Sequence, residues 1–116
     1  MKLHRVPRAM IGFAFAAAAL SLSGGALALD EEAAKALAKK NDCTKCHAVD
    51  KDKKATSYKK IAAKIKGRAD AEERLTKSIT SSHKVKLTDG TEEDHKIINT
   101  KDAKEIKNLV QWILAQ

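Results

Sequence analysis

The chain has 116 residues, of which 33% are charged and 43% hydrophobic, and a formal net charge of +8. That is material for one soluble globular domain and excludes a multidomain enzyme. With 3% aromatic residues the chain also lacks the rings that stack on bases, which argues against nucleic acid as a partner.

Residues 1–28 stand apart from the rest. Lys2, Arg5 and Arg8 precede an apolar run from Ala9 to Leu22, and Ala26-Leu27-Ala28 supplies small residues around a cut, which together read as a secretory signal peptide. The apolar run is short for a bilayer span, which takes about 20 apolar residues, so no membrane span is expected after cleavage. Removing residues 1–28 from the 116 leaves 88 and takes three basic residues away, so the exported part carries a formal +5. Both methionines, Met1 and Met10, leave with the signal, and the aromatics that remain are Tyr58 and Trp112. A core so poor in large side chains is thin for its size and calls for an inserted group.

The pattern from residue 29 onward predicts helices throughout. Asp30-Glu31-Glu32 sets acidic charge at a helix start and Lys39-Lys40 sets basic charge at its end, which predicts a first helix before residue 41. After a lysine-rich loop, Ser57 caps a second helix with Tyr58, Ile61, Ala62 and Ile65 on one face, ended by Gly67. Asp70-Ala71-Glu72-Glu73 reads as a capping box opening a third helix, with Leu75 and Ile79 four apart. Thr80 to Lys101 reads as a long loop with a turn at Asp89-Gly90, and a loop of that length calls for a function. A second capping box, Asp102-Ala103-Lys104-Glu105, opens a last helix with Ile106, Leu109, Val110, Ile113 and Leu114 in a wide apolar stripe. No strand alternation is visible.

Cys43-Thr44-Lys45-Cys46-His47 carries both cysteines and has the C-x-x-C-H form at which c-type haem is attached. Two residues between the thiols let one tight turn offer both sulfurs to one edge of a porphyrin, with the next residue, a histidine, beneath the iron. Haem would also supply the missing interior. Three other readings weigh less. A disulfide across so short a gap constrains little chain entropy. A thioredoxin-like pair belongs beside a strand. Zinc on Cys43, Cys46, His83 and His95 leaves eleven residues between the histidines, which is not the tight spacing of structural zinc sites.

With the helix ahead of Cys43-Thr44-Lys45-Cys46-His47, the Tyr58-Lys59-Lys60-Ile61-Ala62-Ala63-Lys64 segment and the Asp102 to Leu114 helix, the chain resembles the class I c-type cytochromes, small mono-haem carriers of the bacterial periplasm. The resemblance covers residues 29–116 and implies an all-α domain of about four helices packed around one haem c, covalent through Cys43 and Cys46. It also implies crossed N- and C-terminal helices and His47 as the proximal iron ligand. The family's usual distal ligand is a methionine about seventeen residues before the tryptophan of the last helix. No methionine remains here, and the seventeenth residue before Trp112 is His95. His95 is therefore the candidate second metal ligand, with His83 its competitor and Asn99, a lysine or water the remaining options. The family often carries Gly-Pro ahead of the tyrosine, its proline carbonyl accepting the proton of the proximal histidine; here Ala55-Thr56 stands in that place.

These residues imply a periplasmic electron carrier, not an enzyme, with a bis-histidine haem of low potential, because axial methionine is what raises the potential of cytochromes c. The alternative is a haem sensor for NO, CO or O2 whose distal histidine lets go. Lys45, Lys51, Lys53, Lys54, Lys59 and Lys60 suggest docking on acidic redox partners by a monomeric protein.

Overall fold

The computed structural model describes residues 28–116. The signal-peptide reading of residues 1–28 lies outside the described residues except for Ala28. Helix α1 (Glu31–Lys40) is capped by Asp30, whose carboxylate accepts the Ala33 N–H at 2.9 Å. A turn at Asn41-Asp42 follows, with Asp42 at φ 61°, a left-handed conformation that aspartate tolerates better than most residues. It leads into the single turn of α2 (Cys43–Cys46). Ser57 caps α3 (Tyr58–Ile65) as its position predicts, accepting the Lys60 N–H at 3.3 Å, and Gly67 at φ +86° ends it.

The capping boxes form less fully than expected. Ahead of α4 (Ala71–Thr80), Asp70 makes no side-chain cap at all. Its carboxylate is drawn to Arg68 Nε at 3.0 Å and Arg74 Nε at 2.9 Å, and these guanidinium groups hold its pKa down to about 2. Two guanidinium groups, cationic donors on either side of the carboxylate, outcompete the single backbone N–H that a cap would offer it. Before α5 (Ala103–Leu114), Asp102 accepts the Lys104 N–H at 2.8 Å. Glu105, which completes the box in sequence, instead accepts the Thr100 hydroxyl at 2.6 Å.

The stretch from Thr80 to Lys101 contains a hairpin, which corrects the reading of it as loop without strands. Strands β1 (Lys84–Lys86) and β2 (Glu92–Asp94) pair antiparallel with Lys84 opposite Asp94, Val85 opposite Glu93 and Lys86 opposite Glu92. Both are short and exposed apart from Val85, so they carry no apolar alternation to betray them. The turn residues behave as predicted: Gly90 adopts φ +88° and Asp89 accepts the Thr91 N–H at 3.0 Å. The tip of the hairpin is tethered across the molecule, where the Thr88 N–H donates to the Lys54 carbonyl at 2.9 Å and the Thr88 hydroxyl to the Lys53 carbonyl at 2.8 Å.

The core forms where α1 crosses α5, with α3 and α4 packed on the same helix. The first and last helices meet through small residues, Ala34 and Ala38 against a face that includes Leu109 and Val110, all nearly or wholly buried. Asn108 locks the crossing, accepting the Asp30 N–H at 2.9 Å and donating to the Asp30 carbonyl at 2.7 Å. Among the described residues, no helix is long and apolar enough to cross a membrane.

Two stability predictions follow from these contacts. Ala38→Leu forces a larger side chain into the α1–α5 crossing and is expected to cost about 1–3 kcal/mol, read as a lower denaturant midpoint of the holoprotein. Thr88→Val removes the hydroxyl tether and is expected to speed amide exchange in the hairpin while leaving exchange in α5 unchanged.

Candidate haem site

The loop from His47 to Ser57 is organised by its own backbone. Ala55 N–H donates to the Cys46 carbonyl at 3.0 Å, Tyr58 N–H to Ala48 at 3.0 Å and Lys59 N–H to Val49 at 3.1 Å. Asp52 closes it from inside: its carboxylate accepts the Ser57 N–H at 2.9 Å and pairs with the Lys60 ammonium, and these contacts lower its pKa, Lys60 first. The loop so fixed brings the Thr56 carbonyl to 2.7 Å from His47 Nδ1. A carbonyl can only accept, so Nδ1 carries the hydrogen and Nε2 of the neutral ring keeps its lone pair free. Thr56 therefore supplies the acceptor expected where the family often has proline, and the rigid φ of proline is not required for it. Tyr58 stacks on the same imidazole at 5.2 Å and 22°, with Trp112 edge-on behind it at 5.2 Å and 69°. Burial pushes the pKa of Tyr58 well up, so the ring is a neutral wall.

His95 is placed by the segment that returns from the hairpin to α5. The Ile98 N–H donates to the Ile79 carbonyl of α4 at 2.9 Å, and the Asn99 N–H to Asn41 Oδ1 at 2.7 Å. Lys96 reaches the Asp42 carboxylate at 3.2 Å. The returning segment is thus stitched to α4 on one side and to the turn before Cys43 on the other. His95 N–H donates to the His83 carbonyl at 2.8 Å, and the two imidazoles stack at 4.9 Å and 25°. The imidazole of His95 is half-buried, and its pKa is lowered, first by burial and then by His83 and His47.

Between these walls lies a cavity of about 460 Å³. Cys43, Cys46 and His47 line one side, His95 and Val85 another, and Leu75, Ile79, Leu109 and Ile113 are among its apolar floor. Its size falls among cavities that take a drug-sized ligand or cofactor, roughly 300–1,000 Å³. The sequence reading brought together Cys43, Cys46, His47 and His95, and all four border this space. His83 is exposed and stacked on the outer side of His95; Asn99 is exposed, and neither lines the cavity. The zinc alternative finds no support, since no cluster of three or more metal-binding side chains assembles among the described residues. Both thiols are free rather than bridged.

The residues fit a haem on three counts. Both sulfurs of the attachment motif border one apolar cavity. The imidazole centroids of His47 and His95 lie 6.3 Å apart. With metal–nitrogen bonds of about 2.0–2.1 Å and ring nitrogens about 1.1–1.2 Å from the ring centre, two imidazoles on opposite sides of one metal ion stand about 6.2–6.6 Å apart. Lastly, His95 lines the cavity and its Nδ1 is buried without a hydrogen-bond partner, an unpaired nitrogen of the kind a bound group would satisfy. Three positions that carry this geometry were not visible in the sequence: Asp52, which holds the loop; Asn41, which pins the returning segment; and Thr88, which tethers the hairpin. Their roles are contacts across 5 to 58 residues, and composition does not encode those.

Comparison with known proteins agrees with the geometry. The family model described as cytochrome c matches residues 31–116. Among solved structures, the chain is similar to the class 1 cytochrome MtoD from Sideroxydans lithotrophicus ES-1 at 55% identity, covering 76% of this chain and 97% of that one, with a TM-score of 0.72. It is also similar to cytochrome c552 from Nitrosomonas europaea, at 30% identity over 69% of this chain and 95% of that one, TM-score 0.55. A deletion mutant of the same cytochrome c552 gives 32% identity over 70% of this chain and 96% of that one, with a TM-score of 0.57. No curated protein matches the chain. The cysteine spacing, the crossed terminal helices and these likenesses place the chain in the class I mono-haem c-type cytochromes, electron-transfer proteins, with one haem c attached through Cys43 and Cys46.

Proposed function

We propose that this protein is an exported, periplasmic one-electron carrier whose haem iron is held by His47 on one face and His95 on the other. The observation that carries the reading is the pair of imidazoles, 6.3 Å apart, in a chain with no methionine beyond residue 10. His47 presents a free Nε2 because Thr56 holds its other nitrogen, and burial disfavours the charged form of His95, the form that cannot bind a metal. Bound there, haem supplies the redox change; the protein's residues supply two fixed ligands and an apolar wall. With His47 and His95 each fixed by the surrounding backbone, the protein would have little to rearrange when the bound group gains or loses an electron, which suits a carrier.

The ligand set bears on potential. Axial ligands spread haem potentials over about 0.8 V, and methionine lies on the raised side. Two imidazoles in place of a methionine support a potential low in the family, between low-potential donors and acceptors. The sensor alternative calls for a distal histidine free to leave, and the fastening of residues 96, 98 and 99 argues against that freedom. Arg68 and Arg74, the arginines nearest in sequence to the distal loop, are both held by Asp70, so neither supports peroxidase-like chemistry there.

The lysine ring is weaker than its count suggests. Lys45 pairs with Asp42, Lys59 with Asp50 and Lys60 with Asp52, while Lys53 donates to the Thr44 carbonyl. Lys51 and Lys54 make none of these contacts, and with the remaining net positive charge they support an acidic partner.

His95→Ala is expected to abolish the low-spin six-coordinate spectrum and let the reduced protein bind CO rapidly, whereas His95→Met, which returns a thioether, is expected to raise the potential. A low-spin spectrum unchanged in His95→Ala removes the residue from the iron, and a wild-type potential typical of histidine–methionine cytochromes overturns the low-potential reading. For the surface, oxidation of the reduced protein by anionic hexacyanoferrate is expected to slow with ionic strength, and Lys51→Glu with Lys54→Glu to slow it about tenfold at low salt. A rate indifferent to salt rejects electrostatic docking.

A further inference from the structure

We propose that His83, outside the haem site, is a positioning residue that fixes the plane of the His95 imidazole and thereby holds the two axial rings crossed. The inference rests on His47 and His95 being the ligands. Their ring planes are inclined at 60°. A ring that binds a metal through one nitrogen is free to turn about that bond unless something else holds it. His47 is held twice, by the Thr56 carbonyl at 2.7 Å and by the face of Tyr58 at 5.2 Å and 22°. His95 has no such partner at Nδ1, which is buried without a hydrogen bond.

The remaining restraint is a flat surface. The imidazole of His83 lies 4.9 Å from that of His95, at 25°. The hairpin register explains why they meet. Lys84 pairs with Asp94, so the next position outward sets His83 opposite His95, and their backbones are joined by the 2.8 Å bond from His95 N–H to the His83 carbonyl. Side chains directly opposite in an antiparallel pair are in contact range. His83 is itself steadied, its Nδ1 lying 2.9 Å from the Ser81 carbonyl. It is exposed, so it does not serve as core packing. An exposed, self-anchored ring laid flat on a half-buried one acts as a backing plate.

The angle between axial planes has an electronic consequence. Each imidazole donates into the iron orbital perpendicular to its own plane; parallel rings raise one of two such orbitals, and crossed rings raise both. The ferric low-spin signal is accordingly rhombic when rings are parallel and strongly anisotropic when they are crossed.

The test is frozen-solution electron paramagnetic resonance of the ferric holoprotein. The wild type is expected to give a strongly anisotropic low-spin signal. His83→Ala is expected to stay low-spin but shift toward a rhombic signal or spread into several, and His83→Phe, which keeps a flat ring without ring nitrogens, to restore the wild-type signal. A wild-type signal in His83→Ala, with His95→Ala high-spin, overturns the positioning role and leaves the ligand assignment standing. A low-spin signal that survives in His95→Ala overturns both.

Discussion

The hydrogen bond from His47 to the Thr56 carbonyl is the contact around which the site is organised. It sets the tautomer of His47, leaving Nε2 without the hydrogen, and ties the attachment motif to the start of α3. Nothing about threonine is special in this, because the acceptor is backbone. What matters is that the chain between residues 47 and 57 has one shape, and Asp52 gives it that shape by gathering the Ser57 N–H and the Lys60 ammonium. The same carboxylate that shapes the loop also consumes one of its positive charges.

A second set of contacts does the corresponding work on the distal side. The returning segment is held by Ile79 and Asn41 through backbone N–H groups at Ile98 and Asn99, and by Asp42 through Lys96. The turn at Asn41-Asp42 therefore touches both halves of the site: it precedes Cys43 and it anchors the segment that carries His95. The strained φ of Asp42 sits at this junction, where the chain must reverse within two residues to deliver the cysteines.

How far the sequence could be read differs by kind of signal. The helices were legible because caps, charges and apolar spacing are local: Ser57, Gly67 and the stripe from Ile106 to Leu114 act within one or two turns. The Asp70 box was misleading because Arg68 and Arg74, also local, compete for the same carboxylate. The hairpin was not legible beyond its turn, since β2 is Glu-Glu-Asp with every residue exposed, and such a strand exists only because both its ends are fastened to other parts of the molecule. His47 is singled out by its motif and His95 by its distance to Trp112, and both border the same cavity. His83 looked like a rival ligand, because the register that lays it on the outer face of His95 is a tertiary fact.

The Thr88 tether bears on the order of assembly. The cavity is walled by an early segment, residues 43–58, and a late one, residues 85–98, and the hairpin tip closes the gap between them by bonding to Lys53 and Lys54. A group stapled to thiols near the leading end of the domain suits an order in which attachment precedes this tether, so that the bonds of Thr88 to Lys53 and Lys54 complete the wall around it.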